Sequence, residues 1–137
     1  MRISLLGGSS DIDWFLKKKN RGLCLGFSIK LYSRIFAGFR ASHHKRGLLN
    51  YSSREQYHNV ESISHPIIRS CLTKFDIYNP IELSSIGDVP PGSGLGSSSS
   101  FTVAVIKALS ELKGKKVNNM NAAKLACEVE IDELLNP

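Results

Sequence analysis

Apolar residues alternate with polar or small residues in two stretches near the beginning of the chain. The first, Met1 to Leu6, is mostly apolar and stops at a glycine pair, which predicts an edge strand that runs into a tight turn. The second starts at Gly22 and has apolar residues at every second position, the period of a half-buried strand. Residues 35–39 continue this strand or return as its hairpin partner. The alternating positions are Leu23, Leu25, Phe27, Ile29 and Leu31.

A helical period replaces the strand period in the second half of the chain. His65-Pro66 opens a segment whose apolar residues share one helix face, and proline is tolerated in a first turn. Asn79-Pro80 breaks the chain, and Ile81 to Ile86 predicts a strand. A glycine- and serine-rich loop then leads into a helix that ends near Gly114, and a last helix follows. The order of strands, helix, strand and two helices predicts an α+β fold without internal repeats.

Composition and charge limit the possible functions. The 137 residues, 42% of them hydrophobic and 22% charged, suit one small folded domain or part of a larger one. The net charge of +6 favours anionic partners such as phosphorylated metabolites and nucleotides. The densest basic run, Lys17 to Arg21, is short and has only scattered aromatic neighbours, so we expect a solvated loop there. The polar stretch Ala41 to Asn59 has no sustained period and predicts an exposed connection.

Cysteine usage and the lack of long apolar runs indicate a compartment. Cys24, Cys71 and Cys127 are far apart and odd in number, which predicts small buried apolar residues in a reducing environment. No signal-peptide pattern is present, and the longest apolar runs are too short to span a bilayer. We therefore expect a cytoplasmic protein without a membrane partner.

The loop between the last predicted strand and its following helix, PPGSGLGSSSS, carries the candidate chemistry. A helix start leaves backbone N–H groups without partners and carries partial positive charge, so an anion can bind there. Glycines let the backbone approach a phosphate, and serine hydroxyls can cap the helix, contact a phosphate oxygen or ligate Mg²⁺. The residues concerned are Gly92, Gly94, Gly96, Ser97, Ser98 and Ser99.

Two common nucleotide motifs do not fit this loop. A P-loop needs a lysine, and no lysine occurs between Ser85 and Ile106; a dinucleotide fingerprint needs a different glycine spacing. On the residues alone, an anion site and a plain helix-capping turn are equally supported.

The wider sequence context resembles a known family. VPPGSGLGSSSSF is similar to the second conserved motif of the GHMP kinases, Pro-x-x-x-Gly-Leu-Gly-Ser-Ser, counted from Pro90 or, with a shifted count, from Pro91. RISLLGGSSDIDWF resembles the first motif of the branch that phosphorylates heptose phosphates and fucose-type sugars. GFSIKLY and HPIIRSCL follow in the expected order. The resemblance therefore runs from Arg2 to about Leu134 and is nearest to the D-glycero-D-manno-heptose 7-phosphate kinases.

This resemblance implies a fold, a reaction and a set of site residues. The fold is the GHMP kinase N-terminal domain, related to the second domain of ribosomal protein S5. The reaction is transfer of the γ-phosphate of ATP to a sugar hydroxyl with Mg²⁺. Gly8 and Asp11 would contact the sugar, and Ser98 with Glu130, or alternatively Glu128, would hold the metal. The implied phosphate-binding residues are Pro91, Gly92, Ser93, Gly94, Leu95, Gly96, Ser97, Ser98 and Ser99.

The sequence departs from the family pattern at its end. The aspartate that acts on the acceptor hydroxyl in this branch is expected beyond Pro137, so no catalytic residue is assigned. We expect residues 1–137 to be a truncated N-terminal domain, without the C-terminal domain, that binds nucleotide weakly and turns over little or nothing. A non-catalytic nucleotide- or partner-binding module is the alternative, with self-association through the surface that a missing domain would cover. A nucleic-acid-binding domain is less favoured.

Overall fold

A computed structural model describes residues 1–8 and 13–134, so that Asp11 lies outside the described residues. Six strands and four helices follow one another along this part of the chain, with a 3₁₀ turn before α2 and a π-helical segment after α4. The strands are β1 Arg2–Leu6, β2 Leu25–Ser28, β3 Ser33–Phe39, β4 Gly47–Asn50, β5 Arg54–Tyr57 and β6 Ile81–Gly87. The helices are α1 Asp13–Lys19, α2 Pro66–Lys74, α3 Ser97–Leu112 and α4 Asn119–Cys127, with the 3₁₀ turn at Val60–Ser62 and the π-helical segment at Glu128–Glu133.

The strands form two separate sheets. Four strands lie in the order β3-β6-β4-β5, in which β4 and β6 are parallel and the other neighbours are antiparallel. The other sheet has only β1 and β2, which are antiparallel. The prediction that residues 35–39 continue β2 or form a hairpin with it is therefore wrong. The chain leaves the small sheet after Ser28 and enters the large one at Ser33, where β6 is its partner.

One hydrophobic core lies between the four-stranded sheet and the helices. Helix α3 packs against β3, with α2 and α4 beside it, as the predicted α+β arrangement requires. The predicted apolar face of α2 is buried, at Ile68, Cys71 and Leu72. The predicted face of α3 is only partly correct, because its buried apolar residues are Val105, Ile106 and Leu109. The largest fully buried side chains are Leu49, Ile63, Ile68, Leu72, Ile77, Ile81, Leu83, Ile106, Leu109, Val60, Val105 and Val129.

The polar stretch from Ala41 to Asn59 is not an exposed connection throughout. It contains β4 and β5, and Leu48, Leu49 and Tyr57 are buried. Each strand has only four residues, too few for a period to be visible. Strand β4 is buried because it lies between two other strands, β6 and β5, and its two adjacent leucines belong to the core.

Three further expectations need correction. Strand β2 is exposed along its whole length rather than half-buried. Cys71 is buried as expected, but Cys24 and Cys127 are exposed. The basic run beginning at Lys17 is not a loop, because residues 17–19 form the last turn of α1, where lysines interact favourably with the negative end of the helix dipole.

Candidate functional site

The loop between β6 and α3 has an alternating left-handed backbone. Gly92, Gly94 and Gly96 have φ values of +77°, +72° and +68°. A Cβ added to Gly92 or Gly94 would meet no atom within 4 Å, so conformation rather than crowding favours glycine at both positions. Alternation of left-handed and ordinary residues turns successive N–H groups towards one side, which forms a concave anion site.

The first turn of α3 has no capping side chain. The residue before the helix is Gly96, and the first intrahelical bond runs from the Ser100 N–H to the Gly96 carbonyl at 3.1 Å. Helix α4 differs, because the Asn118 side chain accepts a 2.8 Å bond from the Asn121 N–H. The prediction that a serine could cap α3 is wrong, since Ser97 and its neighbours already lie inside the helix. Among residues 1–8 and 13–134, no side chain caps the N–H groups of this turn.

Contacts outside the loop hold both of its ends. At the end near α3, the Arg2 N–H donates to the Leu95 carbonyl at 3.0 Å. At the end near β6, the carboxylate of Asp88 accepts from the Tyr32 N–H at 2.9 Å and pairs with the Arg34 guanidinium. The hydrogen bond from Arg34 and that from Tyr32 hold the pKa of Asp88 below its usual value. The loop is therefore tied to β1 and to the start of β3.

A cavity of about 520 Å³ opens beside this loop. That volume is typical of pockets for small organic ligands. Four of the predicted phosphate-binding residues line it, namely Pro91, Gly92, Ser97 and Ser98. The other five belong to the same loop and helix start but are not part of the cavity wall: Ser93, Gly94, Leu95, Gly96 and Ser99.

Three rings form an aromatic wall of the cavity that the sequence analysis did not predict. The His65 ring lies between Tyr51, at 4.7 Å edge-on, and Phe101, at 5.2 Å, measured between centroids. Burial lowers the pKa of His65, which favours the neutral imidazole. Phe101 lies four residues after Ser97, so the two residues share one face of α3, and both line the cavity. This spacing is a signal in the sequence that could have indicated the position of Phe101. An aromatic wall next to a polar loop suits a ligand with an aromatic base and a phosphate.

Glu130 reaches the beginning of α3 from the π-helical segment. Its carboxylate accepts hydrogen bonds from the hydroxyls of Ser99, at 3.2 Å, and of the buried Thr102. Glu128 has a different neighbour, because its carboxylate pairs with Lys74 of α2 at 3.0 Å. Of the two glutamates considered from the sequence, only Glu130 is thus placed beside the glycine-serine loop.

Of the two residues predicted to contact the sugar, only Gly8 is among the described residues. Gly8 lies in the turn after β1 and is not among the lining residues. Within residues 1–8 and 13–134, no group of three or more His, Cys, Asp and Glu side chains could hold a metal ion alone. A divalent ion here would need oxygen ligands from a bound phosphate in addition to protein groups, as is usual for Mg²⁺.

The sequence profile of the GHMP kinases N terminal domain matches residues 62–134, which include β6, the loop, α3 and Glu130. The chain belongs to the GHMP kinases. The GHMP profile thus covers the whole segment that builds the loop and its helix. The predicted resemblance to this family is confirmed.

Two characterised types of kinase illustrate the similarity of this chain to other proteins in sequence. A D-glycero-alpha-D-manno-heptose 7-phosphate kinase of Campylobacter jejuni is 32% identical over 98% of this chain and 42% of its own length. A homoserine kinase of Clostridium beijerinckii is 32% identical over 77% of this chain and 35% of its own length. The chain therefore spans less than half the length of these two relatives.

Solved structures confirm the GHMP kinase fold. A D-glycero-D-manno-heptose 1-phosphate kinase from Bacteroides thetaiotaomicron superposes with a TM-score of 0.79 at 23% identity, covering 100% of this chain and 48% of that one. A putative sugar kinase from Campylobacter jejuni gives 0.73 at 29% identity, covering 98% and 44%. No described helix of the GHMP domain is long and apolar enough to cross a membrane.

Proposed function

We propose that this chain provides the ATP-binding part of a kinase that phosphorylates a sugar phosphate. The uncapped start of α3, preceded by three left-handed glycines and open to a cavity, is the observation that carries the proposal. The similarity to heptose-phosphate kinases and to a putative sugar kinase supports the choice of a sugar phosphate as acceptor.

In this proposal the loop holds the triphosphate by its backbone. The N–H groups from Gly94 to Ser97 donate to phosphate oxygens, and the dipole of the sixteen-residue α3 favours their negative charge. The ring wall of Tyr51, His65 and Phe101 accommodates the base. Because the loop is fixed at Arg2 and Asp88, its donors are oriented before the nucleotide arrives, and little reorganisation is needed during transfer.

The oxygen groups near α3 suit Mg²⁺. Glu130 and Ser98 would hold the ion, since a carboxylate and a hydroxyl are hard oxygen ligands and the nucleotide completes the set. When bound, the ion would neutralise charge that develops on the phosphates. The hydroxyls of Ser99 and Thr102 keep the Glu130 carboxylate on the loop side of the π-helical segment.

The residues proposed to contact the acceptor sugar lie in the first motif, near the beginning of the chain. Gly8 and Asp11 are proposed to contact the sugar, with Asp11 accepting hydrogen bonds from its hydroxyls. The group that acts on the acceptor hydroxyl is not assigned to any residue of this chain. We accordingly expect the 137 residues, tested alone, to bind nucleotide weakly and to show little or no turnover.

Calorimetric titration of ATP, with and without Mg²⁺, tests the metal assignment. Glu130→Gln is expected to reduce the gain in affinity due to Mg²⁺ by about ten-fold, because a charged hydrogen-bonding group contributes about 1.5 kcal/mol or more. Glu128→Gln is the matched control, since Glu128 faces Lys74 and should retain the full gain. Equal losses in the two variants would contradict the assignment.

The same titration separates the loop from the metal. Gly94→Ala should weaken ATP binding with or without Mg²⁺, because alanine disfavours the left-handed backbone at this position. Asp11→Ala should leave ATP binding unchanged and lower affinity for a heptose phosphate. Undetectable binding of ATP to the parent chain at millimolar concentration would overturn the proposed function.

A further inference from the structure

A second concave surface lies at the other end of the four-stranded sheet. The connection between β3 and β4 forms it, together with one side chain of β5, and its cavity is about 320 Å³. All of its lining side chains are cationic, imidazole or amide groups, and none is a carboxylate. We call it the basic pocket, and its residues are Arg40, His43, His44, Lys45, Arg46 and Gln56.

The basic pocket is well separated from the candidate ATP site. Strand β3 connects the two, because Ser33 at its start lines the first cavity and Arg40 follows its last residue. Seven residues at about 3.3 Å each place them roughly 20 Å apart. A ligand in the basic pocket would therefore not be part of the nucleotide bound at the loop.

Hydrogen bonds within the connection orient its cationic side chains. Arg40 Nη1 donates to the Arg46 carbonyl at 2.9 Å, which closes the connection on itself. Arg46 Nε donates to His58 Nε2 at 2.8 Å, which links the connection to the residue after β5. The rings of His43 and His44 are adjacent, with centroids 4.1 Å apart.

No described carboxylate forms a direct ion pair with the basic pocket. The ion pairs among the described side chains are Arg34–Asp88 and Lys74–Glu128, at other places in the fold. Glu82 on the neighbouring β6 acts on His44 but does not line the cavity. The pKa of His44 is below its usual value, because partial burial, Arg40 and His43 outweigh Glu82.

We propose that the basic pocket binds the phosphate group of a small phosphorylated molecule. Guanidinium groups bind phosphate oxygens in pairs, and Arg40, Arg46 and Lys45 bring three fixed positive charges to one small cavity. The lining contains no Phe, Tyr or Trp ring on which a base could stack, which argues against single-stranded nucleic acid as the ligand.

The four histidines of the chain allow a direct test by NMR. Three of them are at or beside the basic pocket, and His65 reports on the ATP cavity. Inorganic pyrophosphate should shift the imidazole NMR signals of His43 and His44, and it should raise the pKa of His44, because a nearby anion favours the imidazolium against Arg40. A sugar 6-phosphate and AMP, titrated in parallel, identify which carrier of the phosphate binds more tightly.

Two variants test the pocket, and one serves as control. Arg40→Ala should weaken pyrophosphate binding, followed at His43, by about ten-fold or more. Lys45→Gln removes a positive charge without touching the bond from Arg40 to Arg46, and so keeps the test valid if Arg40→Ala disturbs the fold. Lys124→Ala, on the exposed side of α4, removes one charge elsewhere and should leave the response unchanged.

Several results would overturn the assignment. One is an identical His43 response in the parent chain, Arg40→Ala and Lys45→Gln. Another is an equal response to sodium chloride at matched ionic strength, which would indicate screening rather than binding. Displacement of pyrophosphate by a single-stranded RNA at lower concentration than by either small phosphate would replace the small ligand by nucleic acid. None of these results depends on ATP binding at the other end of the sheet.

Discussion

The two sheets of this domain have similar apolar sequences and different surroundings. In the four-stranded sheet, Leu49 and Leu83 are completely buried under the helices. In the two-stranded sheet, Leu25 and Phe27 are 56% and 50% exposed, although they alternate with polar or small residues as a buried strand face would. The contacts of β1 are chiefly with β2, whereas β3 is covered by α3.

This difference shows that alternation predicts a strand but not its burial. A strand face is buried only when another layer lies against it, and that layer comes from distant parts of the chain. For β3, the layer is α3, which follows the loop. For β1 and β2, the described residues leave apolar side chains open to solvent. Stability should therefore depend much more on the large sheet than on the small one.

The largest difference is expected from truncating a leucine in the large sheet. Leu83→Ala should lower the free energy of unfolding by about 2–5 kcal/mol, because Leu83 is fully buried in β6, between β3 and β4. Urea unfolding followed by circular dichroism measures this change. A loss below about 1 kcal/mol would mean that burial of Leu83 in the large sheet contributes little to stability.

An intermediate effect is expected where the two sheets are joined. The Asp88 carboxylate, just after the end of β6, accepts from the Tyr32 N–H and pairs with the Arg34 guanidinium. Tyr32 and Arg34 lie where the chain passes from the small sheet to the large one. Asp88→Asn should reduce stability at neutral pH, since the amide is uncharged and pairs less strongly with Arg34.

The pH dependence of the Asp88→Asn effect tests its cause. The pKa of Asp88 is lower in the folded chain than its unfolded value of about 3.9, so its contribution is complete above that value. It is lost as the pH falls through the lower, folded pKa. The stability difference between parent and variant should be constant from pH 5 to 7 and shrink below about pH 4. A constant difference down to pH 2 would contradict the ionic origin.

The smallest effect is expected in the small sheet. Phe27→Thr keeps a residue that favours strands and removes a ring that is half exposed, so we expect a change below about 1 kcal/mol. The same urea experiment compares it directly with Leu83→Ala. If Phe27→Thr were the more destabilising of the two, the contrast between the sheets would be wrong.

Much of the fold could be predicted from local patterns. Strands β1 and β6 and helices α2, α3 and α4 appear near their predicted positions, because each has a clear period or a proline or glycine at its boundary. The pattern does not show strands β4 and β5, because each has only four residues and β4 is buried through its pairing with β6, which is far away in sequence. The separation of β2 from β3 has the same origin.

The candidate site shows the same limit. The loop could be located from its glycines and serines, because backbone conformation and helix-start charge are local properties. The wall of Tyr51, His65 and Phe101 could not, since three separate segments bring its rings together. For the two glutamates, the π-helical segment changes the angular spacing of the side chains. A regular helical wheel therefore does not predict which glutamate faces α3.

The uncapped start of α3 links folding to ligand concentration. A helix with four serines in its first turn and a glycine before it has no capping side chain in the part of the chain that the structure describes. An anion that accepts from them acts as the missing cap and binds only the folded chain. Each ten-fold rise in its concentration above the dissociation constant then adds about 1.4 kcal/mol to stability. With the proposed nucleotide as this anion, the lifetime of the domain in a cell would follow the nucleotide level.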